Sequence, residues 1–477
     1  MARMAESKLV AAAPRPGRVA GSFRDPSGQV FHFQDRILRT MDTAAAIEFA
    51  SAERVMRQLV DEGRLVDFSD AEPSLHQLFQ GSIARVLQHP LLEQITYPYE
   101  WSFAGLKAAA LFHLQLQLDL LDQGFCLSDA TAYNVQFEGS RPTFIDHLSI
   151  KPYRDGQLWY GHKQFCEQFL VPLLLRSVFD ITHHSWYRGN LEGVPSADFV
   201  KLLSTRHWFS HKLFMHIILP AKLQSSRTSQ TKVDLGDSRA RRLPKDAFRA
   251  MLAQLYSWIS ELKVDVGKQS VWQGYAANNT YTATQRSDKG QYVAEFVAQH
   301  KPRTIIDLGC NTGDFSYVAL ENGAEKAIGF DFDPHALDAA FDRSVQTSQN
   351  FLPLYLDARN PSPSQGWGER ERQGFSSRFS ADAVLALAFE HHLAIAHNVP
   401  LAEVVAWVTQ VAPKGIIEFV PKEDETVRRM LAGREDIFSD YNEETFASAL
   451  SQKARVVSKH LIPGSKRTLY TFESKQK

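Results

Sequence analysis

The stretch Asp307-Leu308-Gly309-Cys310-Asn311-Thr312-Gly313 decides the fold of the second half of this 477-residue chain. It ends the predicted strand 303–308 and precedes a predicted helix over 315–321, so it is the turn between a strand and a helix. Gly309 and Gly313 let the backbone turn sharply and approach a ligand closely. In doubly wound folds such a turn lies at the carboxyl edge of the sheet, where ligands bind.

Strands and helices alternate regularly around this turn. Strands are predicted at 303–308, 326–331, 351–356, 383–388 and 415–420, with helices at 291–299, 315–321, from 334, 401–411 and 425–432. The fourth strand is a continuous apolar run, as in a strand covered on both faces. Two alternating runs, 456–461 and 467–472, close the domain as an antiparallel edge pair. The pattern predicts an α/β, Rossmann-like, doubly wound sheet over 291–477.

Acidic residues end the first three of these strands. Asp307 lies inside the strand end, where it is unsuited to a pyrophosphate but suits the ammonium of a methionyl group. Asp331 ends the second strand, where a carboxylate can accept both ribose hydroxyls. Asp357 follows the third strand, on the adenine side. With Gly309, Cys310, Asn311 and Gly313, these acids predict a site for S-adenosylmethionine (SAM) rather than a dinucleotide. The alternative is that the acids cap strand ends in an unrelated α/β domain.

Residues 303–390 resemble the motifs of class I SAM-dependent methyltransferases. The wider chain resembles the bacterial nodulation-protein-like methyltransferases. The sequence segments that carry this resemblance are Gly21–Gly28, Tyr97–Phe103, Asp129–Phe137, Asn360–Trp367, Ala386–Ile395 and Glu418–Asp424. This resemblance implies the class I fold, SAM as cofactor and a small-molecule or glycan-like acceptor. Phe389-Glu390 departs from the group, which has two aliphatic residues before the His pair, and this departure puts the shape of the acceptor pocket in doubt.

Methyl transfer from a sulfonium asks the protein mainly to align the acceptor and, for a hydroxyl, to remove a proton. His391 and His392 follow the fourth strand, on the side that faces the methyl group in this fold, and either is a candidate base. The alternatives are that one caps a helix while the other packs, or that they bind metal; no metal site is predicted. Glu418 and Lys422 are second catalytic candidates, or an ordinary surface pair. The segment 360–367 and the aromatic residues Trp272, Tyr275 and Tyr281 are candidate covers of the cofactor.

The composition excludes several classes of protein. The formal net charge of −1 gives no overall attraction to nucleic acid or to an anionic membrane, so both are disfavoured as partners. Three dispersed cysteines indicate neither a disulfide framework nor a structural zinc site and fit a reducing, cytoplasmic location. The start of the chain lacks the apolar core of a signal peptide. The oligomeric state stays open.

The first half is organised differently. Residues 1–20 are predicted to be a disordered tail and 21–263 a mainly helical α+β domain, with a mobile loop at 224–244 and a linker or lid at 264–290. Asp129, Asn134 and Asp146, around a predicted hairpin, resemble the base and magnesium ligands of kinase-like folds. The segments lack the His-Arg before the first acid, the Gly after the last, and a convincing strand lysine. The alternative is a helical recognition or oligomerisation domain whose Asp and Asn cap turns.

The sequence therefore predicts a two-domain, SAM-dependent methyltransferase. Two other functions stay open: a bifunctional protein whose kinase-like first half binds ATP, and a non-catalytic SAM-binding regulator or scaffold.

Overall fold

The structure is a computed structural model that describes residues 16–25, 27–79, 81–228, 242–264 and 282–475. Most of the predicted tail, most of the predicted mobile loop, and the aromatic group Trp272, Tyr275 and Tyr281 lie outside these residues. Within the described ranges, each helix is too short or too polar to cross a membrane.

The C-terminal domain is built on a seven-stranded sheet in the order β12-β11-β10-β13-β14-β16-β15. The first five of these are parallel, and the last two form an antiparallel edge pair. This arrangement confirms the doubly wound fold. The strands are β10 (Thr304–Leu308), β11 (Lys326–Asp331), β12 (Phe351–Tyr355), β13 (Ala383–Ala386), β14 (Lys414–Phe419), β15 (Ala454–Leu461) and β16 (Thr468–Ser474).

Continuous apolar runs make the central strands, because both of their faces are covered by helices. Every residue of β10 and β13 is buried. In the chain order of the whole protein, the domain's helices are α11 (Ala283–His300), α12 (Asp314–Glu321), α13 (Pro334–Thr347), α14 (Phe375–Arg378), α15 (Leu401–Val411), α16 (Glu425–Leu431) and α17 (Glu443–Lys453). Helices α14 and α17 were not predicted from the sequence, and α11 begins eight residues before the predicted start.

The N-terminal half begins with a five-stranded antiparallel sheet in the order β1-β2-β3-β5-β4. Its strands are β1 (Gly17–Arg18), β2 (Gly28–Phe33), β3 (Arg36–Met41), β4 (Ser69–Asp70) and β5 (Arg85–Pro90), with α1 (Thr43–Asp61) and α2 (Pro73–His76) between them. Gly17–Arg18 pairs with β2, so the chain enters the fold before the predicted end of the tail.

Helices and two small strand pairs complete this half. The strand pairs are β6 (Phe125–Leu127) with β9 (Ile150–Pro152) and β7 (Val135–Glu138) with β8 (Arg141–Phe144). The helices are α3 (Phe103–Asp122), α4 (His162–Phe165), α5 (Val171–Phe179), α6 (His184–Gly189), α7 (Ser196–Leu202), α8 (His211–Leu213), α9 (Leu219–Thr228) and α10 (Lys245–Glu261). Residues 224–228 of the predicted mobile loop are therefore helical.

The two halves share one apolar core. Trp101 forms an isolated backbone bridge with Leu354 of the edge strand β12, and Phe137 packs edge-on against Phe341 of α13. Glu100 and Arg378 form a buried ion pair across the same contact. The N-terminal half thus covers the β12 edge of the sheet, beside the strand end that carries Asp357.

Candidate active site

The turn after β10 has the backbone conformation that its glycines predict. Gly309, Asn311 and Gly313 all have positive φ, at 77°, 51° and 85°. The backbone N–H groups of Gly309 and Cys310 both donate to the carbonyl of Phe330, at 2.7 and 3.0 Å. A Cβ on Gly309 would lie 3.3 Å from the ring of Phe389, so the backbone and that ring approach closely. The turn is a tight cradle at the carboxyl edge of the sheet.

Asp331 ties the cradle to the neighbouring strand. Its carboxylate accepts from the N–H of Asn311 at 2.8 Å and from the N–H of Asp333 at 2.9 Å. Asp307 is also buried, and the hydroxyl of Ser316 donates to it at 2.7 Å. Burial raises the pKa of each carboxyl group to about 6, against the bonds that favour ionisation. Two buried acids therefore face the same turn.

Asp357 differs from these two acids. Arg359 holds its carboxylate through two hydrogen bonds of 2.7 and 2.8 Å. Burial would raise the pKa of Asp357, but the contacts with Arg359 outweigh it and the pKa is lowered. The predicted adenine-side acid is thus in place but already paired, and an adenine amine would have to share it with Arg359.

Glu390, the acidic residue before the His pair, is fully buried in the loop that follows β13. Glu390 accepts from the N–H of Val420 and from the hydroxyl of Tyr441, each at 2.8 Å, and its second oxygen lies 3.2 Å from Nδ1 of His391. A carboxylate in this position orients an imidazole, as in acid–base pairs of enzymes. Sequence reasoning noted Glu390 only as a departure and missed this role.

His391 and His392 lie together, with ring centroids 4.3 Å apart. His391 is almost fully buried, with 1% of its side chain exposed, and His392 is partly exposed at the surface of the loop. Burial, and then the charge of His391, lower the pKa of His392 well below its ordinary value. His392 is therefore neutral at pH 7 and a weaker base than an exposed imidazole.

Glu418 and Lys422 are not a pair, and this corrects one of the two expectations for them. Glu418 is fully buried; it accepts from Nζ of Lys289 at 2.6 Å and from the N–H of Ala388 at 2.8 Å. Lys422 instead binds Asp436 near the surface. These two contacts of Glu418 hold the loop after β13, and binding of an acceptor by Glu418 stays a prediction.

Lys289 and Arg467 complete a charge network that the sequence analysis missed. Arg467 lies 3.6 Å from Glu418 and binds Asp424 at 2.7 Å. Burial lowers the pKa of Lys289, and Glu418 opposes that shift. One signal was present in the sequence: Lys289 lies four residues before Val293 on the buried face of α11. The prediction of a linker at 264–290 hid it.

The predicted cover at 360–367 is attached to the N-terminal half. The carbonyl of Asn360 accepts from Arg188 at 2.7 Å, and Gln365 donates to the carbonyl of Arg188 at 3.0 Å. Trp367 is 69% exposed. These contacts hold the segment beside the site, and its role as a lid stays a prediction.

The N-terminal trio of polar residues also converges. Asn134 Nδ2 lies 3.4 Å from both Asp129 and Asp146, and Arg39 of β3 binds Asp146 at 2.7 Å. Burial and the charge of Asp146 raise the pKa of Asp129 to about 7. Asp146 also caps the turn that follows it, as the alternative reading expects.

The sheet order and the acidic strand ends define a class I methyltransferase fold. The FtsJ-like methyltransferase family matches residues 289–386. The chain is 99% identical over 473 residues to nodulation protein NoeA of Rhizobium meliloti strain 1021, over 99% of both chains. It therefore belongs to the NoeA family of nodulation proteins.

Two further similarities cover smaller parts of this chain. Ribosomal protein L11 methyltransferase of Tolumonas auensis is 38% identical over 66 residues, which are 14% of this chain and 23% of that protein. The solved structure of N-methyltransferase NodS from Bradyrhizobium japonicum WM9 aligns with 41% of this chain and 98% of its own, at 12% identity and a TM-score of 0.31.

Proposed function

We propose that the C-terminal domain transfers a methyl group from SAM to a small-molecule or carbohydrate-like acceptor. One observation carries the proposal: Asp307 and Asp331 are buried carboxylates that flank a turn with positive φ at Gly309, Asn311 and Gly313. Carboxylates repel a pyrophosphate, but they accept hydrogen bonds from ribose hydroxyls and an ammonium group. The residues present therefore fit SAM.

The chain's own residues would divide the work as follows. Bound SAM would supply the sulfonium leaving group and the methyl group. Asp331 would hold the ribose, Asp307 the ammonium, and the ring of Phe389 would close the cradle above Gly309. His392, neutral at pH 7, would accept a proton from a hydroxyl acceptor, while Glu390 would keep His391 and the loop oriented. A non-catalytic SAM-binding regulator would share the cradle but would turn over no acceptor.

A mass-shift screen tests the catalytic part. Purified protein is incubated with isotope-labelled SAM and a cell extract, and metabolites that gain a labelled methyl group are read by mass spectrometry. His392→Ala should abolish the gain, with SAM affinity retained. Binding of SAM without any methylated product would instead favour the regulator.

SAM affinity should fall as the pH is lowered through 6. Because the pKa values of Asp307 and Asp331 are raised to about 6, both are protonated at pH 5 and then cannot serve as ionised acceptors. Each group should weaken binding by roughly tenfold per pH unit below its pKa. Calorimetry at pH 5 and pH 7.5 measures this, and equal affinity at the two values would contradict it.

The same pKa shifts set the sign of the stability change. When the folded state raises the pKa of a carboxyl group, the protein loses stability as that group ionises. This loss occurs between pH 4, near the pKa in the unfolded chain, and about pH 6, the pKa in the folded protein. The ligand-free protein should therefore melt lower at pH 7.5 than at pH 5 through these two groups, and SAM should raise the melting temperature more at pH 7.5.

A second candidate function is nucleotide-dependent phosphoryl transfer in the N-terminal half. One observation favours it: Asn134 lies between Asp129 and Asp146, the arrangement in which kinases hold magnesium and a base. Kinases carry a lysine on the strand above this position, whereas this chain has Arg39, which already neutralises Asp146. That difference is why we place this function second.

Mg-ATP binding tests this second candidate function. If the second function is present, the protein binds Mg-ATP and Asp146→Ala loses that binding, while Glu138→Ala, which removes an exposed carboxylate on β7, retains it. Failure of the unaltered protein to bind Mg-ATP in calorimetry removes this candidate.

A further inference from the structure

A long connection leaves the cofactor cradle and returns to it. We define the strap as residues 358–374, which lie between β12 and α14. At its start, Arg359 holds the carboxylate of Asp357, the predicted adenine-side acid. Just past its end, the ring of Phe375 packs against that of Phe330, with centroids 5.2 Å apart, and the carbonyl of Phe330 accepts from the backbone of the cradle. Both ends of the strap are therefore fixed at the cradle.

The N-terminal half holds the middle of the strap. Arg24, in the connection between β1 and β2, donates to the carboxylate of Glu371 through two hydrogen bonds of 2.6 and 2.9 Å. Arg188 of α6 donates to the carbonyl of Asn360 at 2.7 Å. The side chain of Gln365 donates in turn to the carbonyl of Arg188 at 3.0 Å. Two separate elements of the N-terminal half thus contact the strap.

The strap, which the structure describes throughout, has only short pieces of regular structure. These are the 3-10 turn Trp367–Glu369 and one backbone bridge, in which Gln365 and Arg372 exchange hydrogen bonds of 2.8 and 2.9 Å. Glu369 has a positive φ of 57°, which costs energy for a residue with a side chain. A segment with few backbone hydrogen bonds opens at a low free energy. The position of the strap therefore depends on its contacts with the N-terminal half.

The ion pair between Arg24 and Glu371 is the charged part of this contact. The side chain of Glu371 is 6% exposed, whereas that of Arg24 is 60% exposed. Glu371 also accepts from the N–H of Trp367 at 3.0 Å, so its carboxylate joins the strap to itself and to the N-terminal half. The hydrogen bonds from Arg24 lower the pKa of Glu371, which keeps this carboxylate ionised. Arg24 is thus the residue whose removal frees the strap with least disturbance of the core.

We infer that the strap gates the cofactor site and that the N-terminal half holds this gate closed through Arg24 and Arg188. The inference rests on the proposed SAM-binding function and concerns the regulation of that same site. Because the ends of the strap are fixed at the cradle, its middle can move without taking the cradle apart. Lids of this kind sequester a ligand and open for its entry and release. Arg24 and Arg188 are positioning residues, since they act through the strap.

A gate has a kinetic signature that a binding contact lacks. When closure is weakened, the open fraction rises, so SAM enters and leaves faster by about the same factor and Kd changes little. Loss of a contact with SAM instead raises mainly the dissociation rate. Arg24→Ala should raise both rates about twofold to fivefold, the range expected for a partly exposed ion pair. Arg24→Ala combined with Arg188→Ala should raise both rates about tenfold, since the two contacts are separate.

Labelled SAM measures both rates on the full-length protein. Rapid filtration gives the association rate, and a chase with unlabelled SAM gives the dissociation rate. Arg141→Ala is the matched control, because it removes an arginine of the N-terminal half that is 63% exposed and paired with Glu138, and it should change neither rate. Glu371→Gln should act like Arg24→Ala and add little to it in the double variant, because both changes break one contact.

The possible outcomes separate the gate from the proposed function. The inference is overturned if the unaltered protein binds SAM but Arg24→Ala and Arg188→Ala change neither rate, if only the dissociation rate rises, or if Arg141→Ala has the same effect. An unaltered protein that binds no SAM would remove the proposed function itself. The thermal midpoints of the ligand-free variants should match that of the unaltered protein, because the substituted arginines are at least partly exposed. Faster exchange that appears only with a lowered midpoint would indicate general loosening and would also overturn the inference.

Discussion

Replacing Asp331 with alanine should weaken SAM binding about a hundredfold or more. In the proposed complex the carboxylate accepts two ribose hydroxyls, and a hydrogen bond to a charged group contributes about 1.5–3 kcal/mol. The loss of two such bonds corresponds to at least two factors of ten in affinity. The substitution also removes the acceptor for the N–H of Asn311, which loosens the turn. Isothermal titration calorimetry measures the change in Kd.

Asp382→Ala is the matched control for this variant. Asp382 also accepts a backbone N–H, that of Thr304, but it does so at the amino end of β10, away from the cradle. Its loss should leave SAM affinity within about twofold, since no ligand contact is proposed there. Equal losses in the two variants would mean that Asp331 acts only through folding. An unchanged Kd in Asp331→Ala would exclude it as the ribose acceptor.

Replacing Lys289 with methionine should destabilise the protein by about 3–5 kcal/mol, because it leaves the Glu418 carboxylate buried with a charge that its direct partner no longer balances. Arg467, whose guanidinium lies 3.6 Å from Glu418, still offsets part of that charge, so the loss should fall toward the lower end of this range. Chemical denaturation monitored by fluorescence gives the free energy of unfolding.

The double variant Lys289→Met, Glu418→Gln distinguishes charge from packing. Glu418→Gln removes the buried negative charge, and this should recover a large part of the lost stability. The amide oxygen of the glutamine can still accept a hydrogen bond from the N–H of Ala388. Lys422→Met provides the control, since its ion pair with Asp436 lies near the surface and should move the denaturation midpoint little. If the double variant is no more stable than Lys289→Met, the unbalanced charge of Glu418 is not the cause of the stability loss.

The parallel sheet was predictable because its strands are short apolar runs that end in polar residues. Asp307, Asp331 and the turn between them occupy the places that their positions in the sequence indicate. The helix α17 was less predictable. It has few large apolar residues, and within it only Phe446, Ala449 and Leu450 are buried. Its amphipathic pattern is therefore weak over 11 residues.

The charge network could not be read from the sequence. Lys289 and Glu418 are 129 residues apart, and only the closed sheet brings α11 against the end of β14. Glu390 meets Tyr441 in the same way, across 51 residues. Local pattern predicts which residues lie on a buried face, but it does not predict which buried charges meet. The sequence for that reason offered Glu418 as an acceptor-binding candidate or a surface residue, and only the structure shows its anchoring contacts with Lys289 and Ala388.

Titration of the purified protein with SAM in a calorimeter tests the central claim most directly. The account predicts one site per chain for the unaltered protein, and binding at least tenfold weaker for Gly309→Ala, because alanine is strained at a φ of 77° and its methyl group would crowd Phe389. Absence of SAM binding in both proteins would contradict the account.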